Sequence, residues 1–217
     1  MDLSTKYLGL ELRSPLVVSA SPLQKEVDNI KLMEEFGASA VVLHSLFEEQ
    51  LRADGEELEQ RLNAQEGLYA ESTDFLPQIA PFKLGPDEYL EHIRKAKASV
   101  SIPIIGSLNG TTGEGWTDYA KQMAEAGADA IELNIFHVPT DLDTPGTAIE
   151  EGHLEIVRNV KGAVNVPVAV KLSPYYSSLA NISKRMSEAG ADGLVKFNRF
   201  LQPDIELRTG EIKSASV

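Results

Sequence analysis

Apolar residues fall along this chain in short continuous runs, separated by longer stretches in which they return every three or four positions. The runs read as strands buried on both faces, and the spaced stretches as amphipathic helices. Three strands are entered through proline, at Ser14-Pro15-Leu16-Val17-Val18, Ile102-Pro103-Ile104-Ile105 and Val166-Pro167-Val168-Ala169-Val170. Each leads through a helical stretch to a glycine-alanine turn and a second apolar strand. These second strands are Gly37-Ala38-Ser39-Ala40-Val41-Val42-Leu43, Gly127-Ala128-Asp129-Ala130-Ile131-Glu132-Leu133 and Gly190-Ala191-Asp192-Gly193-Leu194-Val195-Lys196-Phe197. From proline to glycine the interval stays between 22 and 24 residues. Helices alternating with such strands predict a parallel sheet covered by helices, a TIM-barrel-type α/β fold. Three strand pairs, where a closed barrel has four, predict six of the eight units.

Between these landmarks the pattern is legible at lower detail. Residues 6–12, with Gly9 between apolar runs, predict a hairpin that plugs the amino-terminal end of the barrel. A helix is expected over 27–36, with Gly37 supplying the positive φ of its C-cap. Residues 45–85 read as an insertion after strand two, acidic and helical in its first half and proline-containing loop in its second. Loops on that side of a barrel face the active site, so a lid and a solvated decoration are both open readings. Pro86 opens the next helix at its first turn. Further helices are expected at 116–126, 153–163 and 179–189, a polar loop at 135–151, and a terminal hairpin around the Thr209-Gly210 turn. The 217 residues read as one domain.

The chain carries 33 acidic and 20 basic residues, a formal charge of −13, which disfavours nucleic acid and anionic membrane as partners. It has no cysteine, which rules out a disulfide, a thiolate metal site and a cysteine base. The carboxylates between residues 48 and 71 show no metal-ligand spacing, so a solvated helix face is their default reading and no metal site is expected. The first residues lack the apolar core of a signal peptide and no run approaches a membrane span, so a soluble cytoplasmic protein is expected.

Catalytic groups of parallel barrels come from the carboxyl ends of the strands. Reading those ends gives Ser19 and Ser21, His44 and Ser45, Ser107 and Asn109, Asn134, Lys171, and Lys196 with Asn198. Amides, a lysine and several hydroxyls on one rim suit a planar heteroaromatic ligand such as a flavin or nucleobase. Lys171 also admits two other readings: a Schiff-base lysine, or an interior lysine paired with an acid such as Glu132. Asn134 and Asn198 could equally cap turns. His137 falls in the loop after strand four, where the near-neutral pKa usual for histidine would suit proton abstraction; a plain surface-loop histidine is the other reading, and the same holds for His44. His92 and His153 fall on helical stretches and read as solvent-facing.

Five ordered segments carry a family likeness: Ser14-Pro15-Leu16-Val17-Val18-Ser19-Ala20-Ser21, Ile105-Gly106-Ser107-Leu108-Asn109-Gly110, Ala130-Ile131-Glu132-Leu133-Asn134, Val170-Lys171-Leu172-Ser173-Pro174-Tyr175 and Val195-Lys196-Phe197-Asn198. Together they resemble the dihydroorotate dehydrogenase family of FMN-dependent barrels in pyrimidine synthesis, and more closely its dihydroorotate dehydrogenase-like branch. The resemblance implies an FMN-dependent oxidoreductase acting on a CH–CH group of dihydroorotate or a similar small molecule. It also implies that Ser19, Ala20 and Ser21 pass the flavin edge and that Lys171 contacts the ring. Asn134 and Asn198 would then hold flavin or substrate amide groups, with Ser107 and Asn109 nearby. Where the family carries a Cys or Ser base this chain has Asn134-Ile135-Phe136-His137-Val138-Pro139, leaving His137 as the candidate base beside Lys171. Where the family places a lysine-serine pair, His44-Ser45 stands. The family grips the FMN phosphate after strands seven and eight, so the six-unit count implies weak phosphate binding. The alternative is a non-catalytic, split or truncated barrel that pairs with a further copy or a complementing chain.

Overall fold

The computed structural model describes residues 2–49, 51, 86–135, 139–198, 203–209 and 212–214. The chain opens with an antiparallel hairpin, β1 (Thr5–Tyr7) and β2 (Leu10–Leu12). Leu8 and Gly9 make its turn, both at positive φ. There follow β3 (Val17–Val18), a 3-10 turn (Pro22–Lys25), α1 (Val27–Glu35) and β4 (Ala40–Phe47). After the insertion come α2 (Asp87–Ser99), β5 (Ile104–Asn109), α3 (Gly113–Glu125), β6 (Ala130–Asn134), α4 (Gly146–Ala163), β7 (Val168–Leu172), α5 (Leu179–Glu188) and β8 (Gly193–Lys196). A terminal hairpin pairs β9 (Pro203–Ile205) with β10 (Ile212–Ser214). Strands β3 to β8 form one parallel sheet in sequence order, curled as part of a barrel with its helices outside. Both hairpins and all six barrel strands agree with the sequence reading.

The three pairs repeat one clasp. In the second unit the Asp129 N–H donates to the Ile104 carbonyl at 2.8 Å, while its carboxylate accepts the Ile104 N–H at 2.7 Å and the Lys97 ammonium at 2.7 Å. In the third, Asp192 does the same with Val168 (N–H to carbonyl 2.8 Å, N–H to carboxylate 2.8 Å) and Lys161. In the first, Ser39 stands in: its N–H donates to Leu16 at 2.8 Å and its hydroxyl meets that of Ser14 at 2.7 Å. Gly37, Gly127 and Gly190 turn the chain ahead of each clasp at φ of 102°, 102° and 109°, a region closed to most side chains. Proline suits the strand entrances because only its carbonyl is used there, accepting from Val41 at Pro103 and from Ile131 at Pro167. The half-exposed clasp ion pairs contribute about 1 kcal/mol or less each. Burial of Ile30, Ile93, Ile131, Met123, Leu154, Ile182 and Met186 between sheet and helices contributes ~1.5–3 kcal/mol per side chain and dominates.

A bulge interrupts β4. Val42 lies opposite Ile105 but Ser45 opposite Ser107, so β4 holds one residue more than β5 in between. Beside the bulge the buried Tyr89 of α2 reaches the backbone of Ser107. Its hydroxyl accepts from the Ser107 N–H at 3.1 Å and donates to the Ser107 carbonyl at 3.3 Å. The extra residue resets the alternation of β4, and this lengthens the strand beyond its predicted end at Leu43. His44 and Ser45 therefore lie within β4, as Ser107 and Asn109 lie within β5, rather than after their strands. Two helices also begin earlier than their apolar faces suggest: Thr112 caps α3 by accepting the Gly115 N–H at 2.9 Å, and Pro145 starts α4 two turns before His153.

Candidate functional site

The barrel interior is layered. At its amino-terminal end Leu8 and Leu12 of the hairpin pack against Ala40, Val42, Ile105, Ala130 and Ala169, closing the bottom as the sequence predicts. Gly193 makes room for this plug, since a Cβ there would meet the Leu8 side chain at 2.6 Å. Toward the carboxyl end the inward positions turn polar: Ser107 opposite Glu132, Asn134 opposite Lys171. Strand alternation alone places them on this face.

Lys171 and Glu132 form the centre. The Lys171 Nζ lies 3.7 Å from Glu132 Oε1, close enough for ionic attraction and too long for a hydrogen bond. Glu132 is 3% exposed, and its Oε1 has no hydrogen-bond partner among the described residues. Burial raises the Glu132 carboxyl above its ordinary range, and the lysine only partly offsets this. The carboxylate in turn helps burial push the Tyr7 hydroxyl of the plug up to about 12. Two of the open readings of Lys171 thus meet here, for it is an interior lysine beside Glu132 and also stands on the rim among the candidate ligands.

Around the pair sit the amides and hydroxyls. Asn198 Nδ2 donates to Asn134 Oδ1 at 2.9 Å, so the two amides face each other across β7. The hydroxyls of Ser45 and Ser107 lie 2.8 Å apart, joining β4 to β5. Asn109 ends β5 half-buried. Ser19, Ala20 and Ser21 stand on the far side, after β3. There the Ser21 hydroxyl serves a capping box, accepting from the Leu23 N–H, while the fully buried Gln24 accepts from the Ser21 N–H at 2.7 Å and donates to the Ser19 carbonyl at 3.0 Å. The sequence Ser21-Pro22-Leu23-Gln24 carries that signature openly.

The histidines depart from expectation. The bulge sets His44 against α2, its ring 5.1 Å from Tyr89 and 5.5 Å from His92, beside a cleft of about 770 Å³ that Ala20, Ser21, Ser45 and Phe47 also line. His92 is half-buried rather than solvent-facing, its Nε2 2.6 Å from the Gln24 carbonyl. His153 is buried, 8% exposed, with Nδ1 3.0 Å from the Tyr176 hydroxyl. It continues the apolar stripe of Val157 and Val160 at helical spacing, a signal present in the sequence. His137 lies outside the described residues.

His44 carries a pH prediction. Burial, then the charges of His92 and Lys25, lowers it from 6.5 to about 4, and its Nδ1 has no partner among the described residues. The folded chain therefore binds fewer protons than the unfolded chain between those values. Stability supplied by neutral His44 is complete above pH 6.5 and is lost as pH falls toward 4, by on the order of 1–3 kcal/mol. Urea unfolding across that window is expected to show the slope in the natural chain and its flattening in His44→Leu; an identical slope in both refutes the assignment.

Glu48 departs from the solvated reading of the acidic run, of which residues 52–71 lie outside the described residues. It is 4% exposed and accepts the Thr111 N–H at 2.6 Å, the Thr112 N–H at 3.0 Å and the Thr112 hydroxyl at 2.6 Å. Gly115 is small because a Cβ there would meet the Glu48 carboxylate at 2.3 Å. Burial alone would raise this carboxyl, but the hydrogen bonds outweigh it and hold the group below its ordinary range. The start of the insertion is thereby tied to the loop after β5. No described helix is long and apolar enough to cross a membrane, and no group of three His, Cys, Asp or Glu among the described residues could hold a metal ion.

Comparison with known proteins bears on the family. The family model for dihydroorotate dehydrogenase matches residues 2–216. The catalytic subunit of dihydroorotate dehydrogenase B (NAD(+)) from Thermoplasma acidophilum is 30% identical over 99% of this chain and 68% of its own length. Its counterpart from Methanocaldococcus jannaschii is 29% identical over 95% of the chain and 65% of the relative. The chain thus spans about two thirds of these relatives. Among solved structures, a phosphonopyruvate hydrolase in complex with oxalate and Mg++ superposes with a TM-score of 0.50 at 17% identity, over 83% of this chain and 57% of that one, a likeness of fold alone. With the family match running almost end to end, the chain belongs to the dihydroorotate dehydrogenase family.

Proposed function

We propose that the carboxyl end of β5 to β8 holds the ring of FMN, and that the chain serves a dihydroorotate dehydrogenase-type oxidoreductase acting on dihydroorotate or a similar molecule. The observation that carries this reading is Lys171 standing beside the Asn134–Asn198 amide pair over an interior closed below by the hairpin. The donor set fits the group. An ammonium held by its partner only at 3.7 Å is available to a ring carbonyl or nitrogen, and amides offer both donors and acceptors to a flavin edge.

FMN, when bound, supplies the hydride acceptor. Lys171 donates to the ring and favours negative charge on it. Asn134 and Asn198 fix its orientation, and Ser107 with Asn109 lines the neighbouring edge. Leu8 and Leu12 exclude water from below. His137, in the loop after β6, is the side chain we assign to proton removal from the substrate, and Ser19, Ala20 and Ser21 bound the site on the β3 side. The relatives named above are catalytic subunits whose names specify NAD(+), so a second subunit and that acceptor are part of the proposal. A second reading, a non-catalytic open barrel completed by a partner chain, draws on β3 and β8 being the sheet edges among the described residues.

Titration of FMN against the protein, followed by quenching of ring fluorescence, tests the reading. Saturable quenching is expected, with dihydroorotate bleaching the bound ring in the absence of oxygen. Because the residues assigned here would meet the ring, riboflavin is expected to bind within about tenfold of FMN, a difference of roughly 1.4 kcal/mol or less. Failure of both flavins to quench would favour the open-barrel reading.

A further inference from the structure

The Glu132 carboxylate is paired with one cation among the described residues, Lys171, and without a hydrogen bond. Its Oε1 has no hydrogen-bond partner among the described residues, it is 3% exposed, and Lys171 on β7 approaches no nearer than 3.7 Å. The other titratable groups that feel its charge are the Tyr7 hydroxyl from β1 and the Tyr89 hydroxyl from α2, and that charge favours their protonated, neutral forms. An ammonium engaged by a ligand above it leaves this carboxylate buried with no cation near enough to offset its desolvation, a condition that costs several kcal/mol unless the group is neutralised.

Resting on the flavin-ring reading, we infer that Glu132 is a positioning residue that couples occupancy of the site to proton uptake: as Lys171 turns its N–H to the ring, Glu132 takes a proton from solvent. The balance is simple. One solvent proton joins the carboxylate, the ammonium keeps its three, and no bond of the ligand is made or broken. Glu132 then stops competing for Lys171, so occupancy is held by neutralising the acid beneath it. Burial already biases the carboxyl in this direction, and withdrawal of Lys171 removes the cation that opposes that bias among the described residues.

The test uses the whole chain and FMN itself. Calorimetric titrations are run in two buffers of different ionisation enthalpy, as a pH series spanning about two units on either side of neutrality. Different heats in the two buffers, amounting to uptake that approaches ~1 proton per flavin where Glu132 is ionised in the free chain, are expected. Over that range Kd should rise by up to about tenfold per pH unit. An infrared difference spectrum on FMN addition should gain the carbonyl band of a protonated carboxyl. In Glu132→Gln, which keeps the shape, both signals should vanish and Kd should lose this pH dependence. Quenching of FMN with equal heats in both buffers across the series would overturn the inference and leave the ring site standing. Uptake that persists in Glu132→Gln would overturn it too, by assigning the proton elsewhere. Absence of FMN binding to the natural chain would overturn the ring reading itself, and the inference with it.

Discussion

Replacing Glu48 with alanine is expected to lower the unfolding free energy by ~3 kcal/mol, the largest effect of any exchange in the described acidic residues. Its carboxylate receives two backbone N–H groups and one hydroxyl, all from Thr111 and Thr112. Hydrogen bonds to a charged acceptor contribute about 1.5–3 kcal/mol each, and donors stranded without an acceptor cost a similar amount. Thr111 is exposed and Thr112 only half-buried, so water recovers part of the loss. The Thr112 hydroxyl also caps α3 at Gly115, and its release loosens that helix end. In urea unfolding the midpoint should fall with the slope unchanged. Glu48→Gln, which keeps the acceptor oxygen, should lose less. Because the folded carboxyl sits below its ordinary range, this stabilisation is present above the unfolded value near 4.5 and disappears as pH drops through the folded one. A midpoint unmoved by Glu48→Ala would show that the threonine loop is satisfied by other means.

The second large effect falls on ligand retention. Lys171→Met is expected to weaken FMN binding by about 10–100-fold, the span that loss of a charged hydrogen bond of ~1.5–3 kcal/mol allows. Stability should change little or rise. The methionine keeps the apolar stem of the lysine, and burial already biases Glu132 toward its neutral form, the more so without its cation. A quenching titration and a thermal melt of the same variant separate the two roles. Unchanged FMN affinity together with a marked loss of stability would mean that Lys171 is only the partner of Glu132.

That Ser107, Asn109, Asn134 and Lys171 fall toward the carboxyl ends of their strands was legible because the proline and glycine marks fix where each strand starts, although the exact end of β5 was not. Asn198 followed from the third repeat of the same unit. What could not be read was created by distant contacts. No local pattern announces that β4 carries an extra residue, since the hydroxyl that stabilises the bulge comes from Tyr89, far along the chain. That bulge decides that Ser45 meets Ser107 while His44 turns to α2. Glu48 looked solvated because an acidic run is usually so, and its partners lie beyond an insertion and another strand. By contrast, the buried His153 and the Ser21–Gln24 cap were both within reach of helical spacing and of the capping signature.

The clasp series sets an order in which the molecule lets go. The side chains of Asp129 and Asp192 each fasten a strand entrance and a lysine of the helix before that strand, whereas the side chain of Ser39 meets a serine hydroxyl, and β3 beside it is two residues long at the sheet edge. Breathing motions will start at that weakest latch, and amides of β3 will exchange with solvent long before those of β5 to β7. The floor on which Lys171 and Asn134 stand then belongs to the last part to open, so a ring could be received and released through fraying of the β3 side without disturbing the residues that grip it.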